Sequence, residues 1–154
     1  MDAIFLTYII PCASSFLACL GFTLVFNIHG VGKMICGVGG ALGWLIYLLA
    51  GQTIFAAFLS SAAIGIFSEA MARIRRCPAT GYLLVALLPL VPGGGIYYAM
   101  SYCVAGDIDL FLSTLLHTFG MAAALAVGAM MTASMFRVVY QYLYRAKIPH
   151  SALK

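Results

Sequence analysis

YLLVALLPLVPGGGIYYAMSYCV, residues 82 to 104, holds no charged side chain over 23 positions, yet carries two prolines and three consecutive glycines near its centre. The length and apolar character match the roughly 20 residues that a helix needs to cross a bilayer core. The interruption does not match a regular helix. A proline lacks the N–H for its own helical bond and clashes with the carbonyl four residues back, so Pro89 and Pro92 are expected to release the carbonyls of Val85 and Leu88. Gly93, Gly94 and Gly95 then allow an unwound backbone and close approach by a ligand. At mid-membrane depth such backbone is tolerated only where it is buried in protein or lines a wet cavity. The stretch therefore predicts a spanning helix broken at Pro89–Gly95.

The rest of the chain supports the membrane reading. Of 154 residues, 64% are apolar and only 8% are charged, which excludes an ordinary water-soluble domain. Charge-free stretches fall at about 3–26, 34–51, 53–71, 82–104 and 110–135. They predict an all-α integral membrane bundle of five transmembrane helices in one domain covering 1–154, with a cytoplasmic tail over 137–154. A single helix from Met34 to Met71 would rise about 57 Å, nearly twice the core thickness, so a turn at Gly51 and Gln52 must divide it. The first span lacks the basic leader of a signal peptide, since Asp2 is the only charge before it.

Basic residues set the orientation. Lys33, Arg73, Arg75, Arg76, Arg137, Arg145, Lys147 and Lys154 all fall on one side of a five-span chain, and Asp2, Asp107 and Asp109 fall on the other. This predicts an N-terminus outside and a C-terminus in the cytoplasm. The net charge of +4 is spread over short loops and forms no patch for nucleic acid. Five cysteines without C-x-x-C spacing or a nearby histidine point to neither a metal site nor a disulfide framework.

Small residues recur at helix-contact spacing. Gly39 and Gly43 form a G-x-x-x-G pair, while Gly120, Ala124, Gly128 and Thr132 make a ridge with four-residue spacing. These ridges fit close packing within the chain or an interface in a homo-oligomer.

If the fourth span is broken, its second half begins near Ile96 and offers free N–H groups and the positive end of a helix dipole, which suit a carboxylate. The end of its first half offers carbonyls that suit an ammonium group or a cation. Discontinuous helices of this kind mark substrate sites in secondary transporters. Candidate substrate-binding residues are Pro89, Pro92, Gly93, Gly94, Gly95, Ile96 and Tyr98. Glu69 is a candidate gate or proton-carrying carboxylate, with a helical ion pair to Arg73 as the alternative. His117 lies inside the fifth span, where it either couples transport to protons or hydrogen bonds to a neighbour. No nucleophile with an adjacent base, zinc motif or phosphate loop is present in the sequence, so enzymatic chemistry and a cofactor have no support.

"GFTLVFNI" (21–28), the glycine-rich second span and "RCPATGYLLVALLPLVPGGGIYYAM" (76–100) resemble the threonine/serine exporter family, specifically its short YjjB-type subunit. The resemblance covers nearly the whole chain. It implies a bacterial inner-membrane exporter of threonine, serine or a dicarboxylate such as succinate, working with a larger partner subunit of the same family. An odd number of spans agrees with a chain that supplies half of a pathway. The competing expectation is a structural or assembly subunit whose broken helix serves packing alone.

Overall fold

The computed structural model describes residues 5–147. Asp2 and Lys154, both used above for orientation, lie outside the described residues. Six α-helices follow one another: α1 (Ile10–Val25), preceded by a π-helical turn at Phe5–Ile9, α2 (Gly32–Leu49), α3 (Ile54–Arg75), α4 (Ala79–Leu87), α5 (Gly93–Ala105) and α6 (Ile108–Lys147). Four of the helical runs are long and apolar enough to cross a membrane alone. The pair Ala79–Leu90 and Gly93–Ala105 makes the fifth span, bent by 44° at its break. The result is an all-α membrane bundle, as the apolar runs predict.

The turn dividing α2 from α3 falls where the length argument puts it. Gly51 (φ 82°) and Gln52 (φ 58°) both take left-handed backbone, a conformation natural for glycine and uncommon for glutamine. Thr53 then caps α3, its Oγ1 accepting from the Ala56 N–H at 3.2 Å. At the same end of the bundle Gly106 (φ 85°) closes α5 and turns the chain into α6. The sixth helix differs from the expected boundary, because it runs through Arg137 to Lys147 without a break. Its 40 residues rise about 60 Å, so α6 extends well beyond one bilayer core, and the start of the expected tail is a continuation of this helix.

Packing is organised on α2 and α3. The small faces of α2 take a helix on either side: a Cβ at Gly37 would meet the Phe16 ring and one at Gly40 would meet Cys19, both on α1. On the other side Gly39 faces Ala86 and Phe67, and Gly43 faces Ile64 and Leu90. Ser60 seals that contact by donating to the Gly43 carbonyl at 2.5 Å. The predicted ridge on α6 is a contact within the chain. Gly120 meets Ile54, Gly128 meets Ser61 and the Phe58 carbonyl, and Thr132 meets Gly65. These pairs advance together along both helices, so α3 and α6 run parallel, as the second-neighbour odd spans of an up-and-down bundle must. Two buried clusters fill the interior, one around Cys19, Cys36, Tyr82 and Val85, the other around Ala57, Ile64, Ala86, Leu90 and Leu125.

Candidate functional site at the broken helix

The break is shorter than the sequence predicts. Leu88–Leu90 tighten into a 3-10 turn that keeps Pro89 in helical geometry, at a position where its missing N–H is not needed. Val91 alone is extended (φ −59°, ψ 126°), the conformation that a following proline imposes. Pro92 (φ −77°, ψ 57°) is the centre of an inverse γ-turn, closed by the Gly93 N–H donating to the Val91 carbonyl at 2.7 Å. The three glycines are helical and form the first turn of α5. The unwinding expected over Pro89–Gly95 is therefore confined to Val91 and Pro92, because one proline and its neighbour suffice to reset the direction of the chain.

That change of direction moves the chain from one set of neighbours to another. The first half of the span, α4, packs on α2 and α3, while the second half, α5, packs chiefly on α6. Gly95 is where α5 meets α6, and a Cβ there would collide with the Thr118 side chain. Thr118 is 4% exposed and donates from Oγ1 to the Thr114 carbonyl at 2.6 Å. A threonine four residues after another threonine in an apolar span was the available signal for it.

The polar backbone groups at the break are unevenly satisfied. The Val85 carbonyl, released by Pro89, accepts from the Cys19 thiol at 3.4 Å, and the Leu88 carbonyl accepts from the Val91 N–H at 3.2 Å. The carbonyl end expected to suit a cation thus already has donors. Cys19 was not legible as that donor, since nothing in the sequence places α1 beside residue 85. On the α5 side the Ile96 N–H reaches the Pro92 carbonyl at 3.3 Å, while the N–H groups of Gly94 and Gly95 find no acceptor among the described residues. They are the positive end of a 13-residue helix. Nearby, Trp44 packs against the cluster that holds Leu90, and its buried Nε1 has no partner among the described residues.

The break opens outward. Gly93 and Gly94 are exposed with nothing within 4 Å of an added Cβ. Ile96 and Tyr98 are exposed as well, and Tyr98 stacks edge-on with Tyr97 at 5.5 Å between ring centres. Pro89, Pro92, Gly93, Gly94, Gly95, Ile96 and Tyr98 thus stay together around one bend.

The two candidate coupling residues are separated. His117 is exposed on α6, beside the Thr118 that touches Gly95, and so lies level with the break. Glu69 is paired with Arg73 at 3.6 Å, the ion-pair alternative. Arg73 in turn reaches the Phe136 carbonyl of α6 at 3.4 Å. From Thr118 to Phe136 is about 18 residues of α6, roughly 27 Å of rise, so the two groups do not share one proton step.

A family model described as threonine/serine exporter, ThrE, matches residues 11–135, most of the chain and all of the elements around the break. No curated protein and no solved structure matches.

Proposed function

Because the chain belongs to the threonine/serine exporter family, we propose that it is a membrane subunit that exports a small carboxylate-bearing metabolite, threonine, serine or a dicarboxylate such as succinate, with a larger partner subunit in the bacterial inner membrane. The observation that carries this reading is the pair of N–H groups at Gly94 and Gly95, without acceptors at the start of a helix inside a spanning segment. Left against lipid, each such group costs several kcal/mol in order of magnitude. A substrate carboxylate fits the need in charge and in hydrogen bonding.

The outward opening of the break supports the partner. Gly93, Gly94, Ile96 and Tyr98 are exposed on this chain, so a pathway along them needs a second wall, which the larger partner subunit supplies. His117, level with the break, is then positioned to face that wall and to carry a proton beside the substrate. The gathering of Lys33, Arg73, Arg75, Arg76 and Arg137 on one side favours a cytoplasmic C-terminus. A reporter fused after Lys154 should then read cytoplasmic, and one in the Asp107 loop external. Both reporting one side would remove the orientation.

Efflux of labelled threonine, serine and succinate from proteoliposomes, with this chain alone and with the larger subunit, tests the function. Transport should need both subunits. Gly94→Val should cut efflux several-fold at an unchanged amount of folded protein, since the branched side chain stands beside the free N–H groups and meets nothing else. Normal efflux by that variant would sink the assignment of the break as the site.

A further inference from the structure

The opposite end of the bundle holds a second polar site that the break does not use. The last turns of α3 carry Glu69 and Arg73, the chain turns through Arg76 in left-handed conformation (φ 53°), and α4 begins at Ala79. Beside them passes α6 with Phe136 and Tyr140. A cleft of about 420 Å³ lies between these segments, lined by Glu69, Ala72, Arg73, Cys77, Ala79 and Tyr140. That volume is ample for a free amino acid.

Arg73 is held in place from several directions. Its guanidinium carbon lies 5.1 Å from the centre of the Phe136 ring and 5.2 Å from that of Tyr140. One nitrogen, Nη2, makes both polar contacts, to Glu69 at 3.6 Å and to the Phe136 carbonyl at 3.4 Å. Nη1 and Nε have no acceptor among the described residues, so part of the guanidinium fork remains open. The contact to Glu69 is long for a charge-assisted hydrogen bond, whose usual length is about 2.7–2.9 Å. Neither charge is saturated by the other.

We propose that this cleft receives a free zwitterionic α-amino acid from the cytoplasm, its carboxylate on the open fork of Arg73 and its ammonium on Glu69. An amino acid replaces one loose ion pair by two. Ala72 and Ala79 wall the cleft with single methyl groups, which leaves room for a short side chain. A dicarboxylate would set its second carboxylate against Glu69, where like charges repel. The proposal rests on the export reading, and it narrows that reading to amino acids over dicarboxylates.

Labelled threonine bound to the full chain in phosphatidylglycerol nanodiscs tests it. Threonine should bind, and Glu69→Gln and Arg73→Gln should each weaken binding by about ten- to a hundredfold, the usual cost of losing a charged partner. Threonine methyl ester, N-acetylthreonine and succinate, each lacking one of the two required charges, should compete poorly. Thermal melting should hardly move in Glu69→Gln, since a partly exposed ion pair contributes little to stability. Absent threonine binding, wild-type binding by both variants, or equal competition by succinate would overturn the proposal. So would loss of binding on adding phosphatidylethanolamine, whose headgroup also pairs an anion with an ammonium and would then be the occupant. The break lacks its second wall in this experiment, so the threonine bound is that of the cleft: Gly94→Val should leave it unchanged, while efflux measured with the larger subunit falls. Normal efflux by Gly94→Val, with binding lost in the charge variants, removes the break as the site and keeps the cleft, and the reverse pattern removes the cleft alone.

Discussion

A Cβ added at Gly128 would press on the Ser61 hydroxyl and lie 2.6 Å from the Phe58 carbonyl oxygen, whereas one added at Gly94 would meet nothing within 4 Å. Both glycines are helical and both lie in spanning segments. At Gly128 the missing side chain lets α6 touch the backbone of α3. At Gly94 no neighbour needs the space, and what the glycine leaves uncovered is an N–H group at the start of α5. In a lipid environment the driving force for helix contact is close packing, which explains the first position and not the second. Glycine at the second position is a cost to the helix, and its use there needs a ligand or a partner.

The same substitution at the two sites therefore separates packing from access. Gly128→Ala carries the largest expected effect. The clash with the Phe58 carbonyl and the 3.2 Å approach to the Ala62 nitrogen are with backbone atoms, so α3 and α6 have to move apart. Overpacking of this kind costs on the order of 1–3 kcal/mol, read as a lower melting temperature and less monodisperse protein in detergent. An unchanged melt would mean that the two helices are not held by this contact.

Gly94→Ala should go the other way. In an exposed helical turn with no steric conflict, alanine relieves the entropic cost of glycine and stabilises by about 0.4–1 kcal/mol. Efflux should fall less than with Gly94→Val, because a methyl group leaves the N–H accessible. A destabilised Gly94→Ala protein would show that something occupies the space beside Gly94, and the contrast with Gly128 would then be lost.

Much of this was legible before the structure, and for identifiable reasons. Absence of charge and the length limit of a bilayer core mark the spans, and Gly51 with Gln52 marks the turn that divides the second from the third. The four-residue spacing from Gly120 to Thr132 marks a packing ridge, but spacing on one helix does not identify the partner, which is the parallel α3. The break was legible in its cause and too long in its extent. Proline acts on its own residue and the one before it, so Val91 and Pro92 leave helical geometry while Pro89 stays in a 3-10 turn and the glycines start α5. Interactions across the bundle carried no local signal. Thr118 against Gly95 and Cys19 on the Val85 carbonyl join residues that only the folded chain brings together.

Cys19 provides the smallest and most specific test of the comparison. Its thiol is fully buried and donates to the Val85 carbonyl, the group that Pro89 deprives of its helical donor. On this side of the break the chain satisfies its own backbone, while on the α5 side the N–H groups of Gly94 and Gly95 stay open. If the thiol serves this carbonyl, Cys19→Ser should keep the contact through a stronger donor of slightly smaller size, and Cys19→Ala should lose it. The difference between the two variants should be below about 1 kcal/mol, since a thiol is a weak donor and a carbonyl bond contributes modestly in net terms. Efflux should be the same in both, because the carbonyl end takes no part in holding the carboxylate. Equal stability of the serine and alanine variants would reduce Cys19 to a packing residue beside Gly40. A loss of efflux confined to Cys19→Ala would place the Val85 carbonyl in the transport site and make both sides of the break functional.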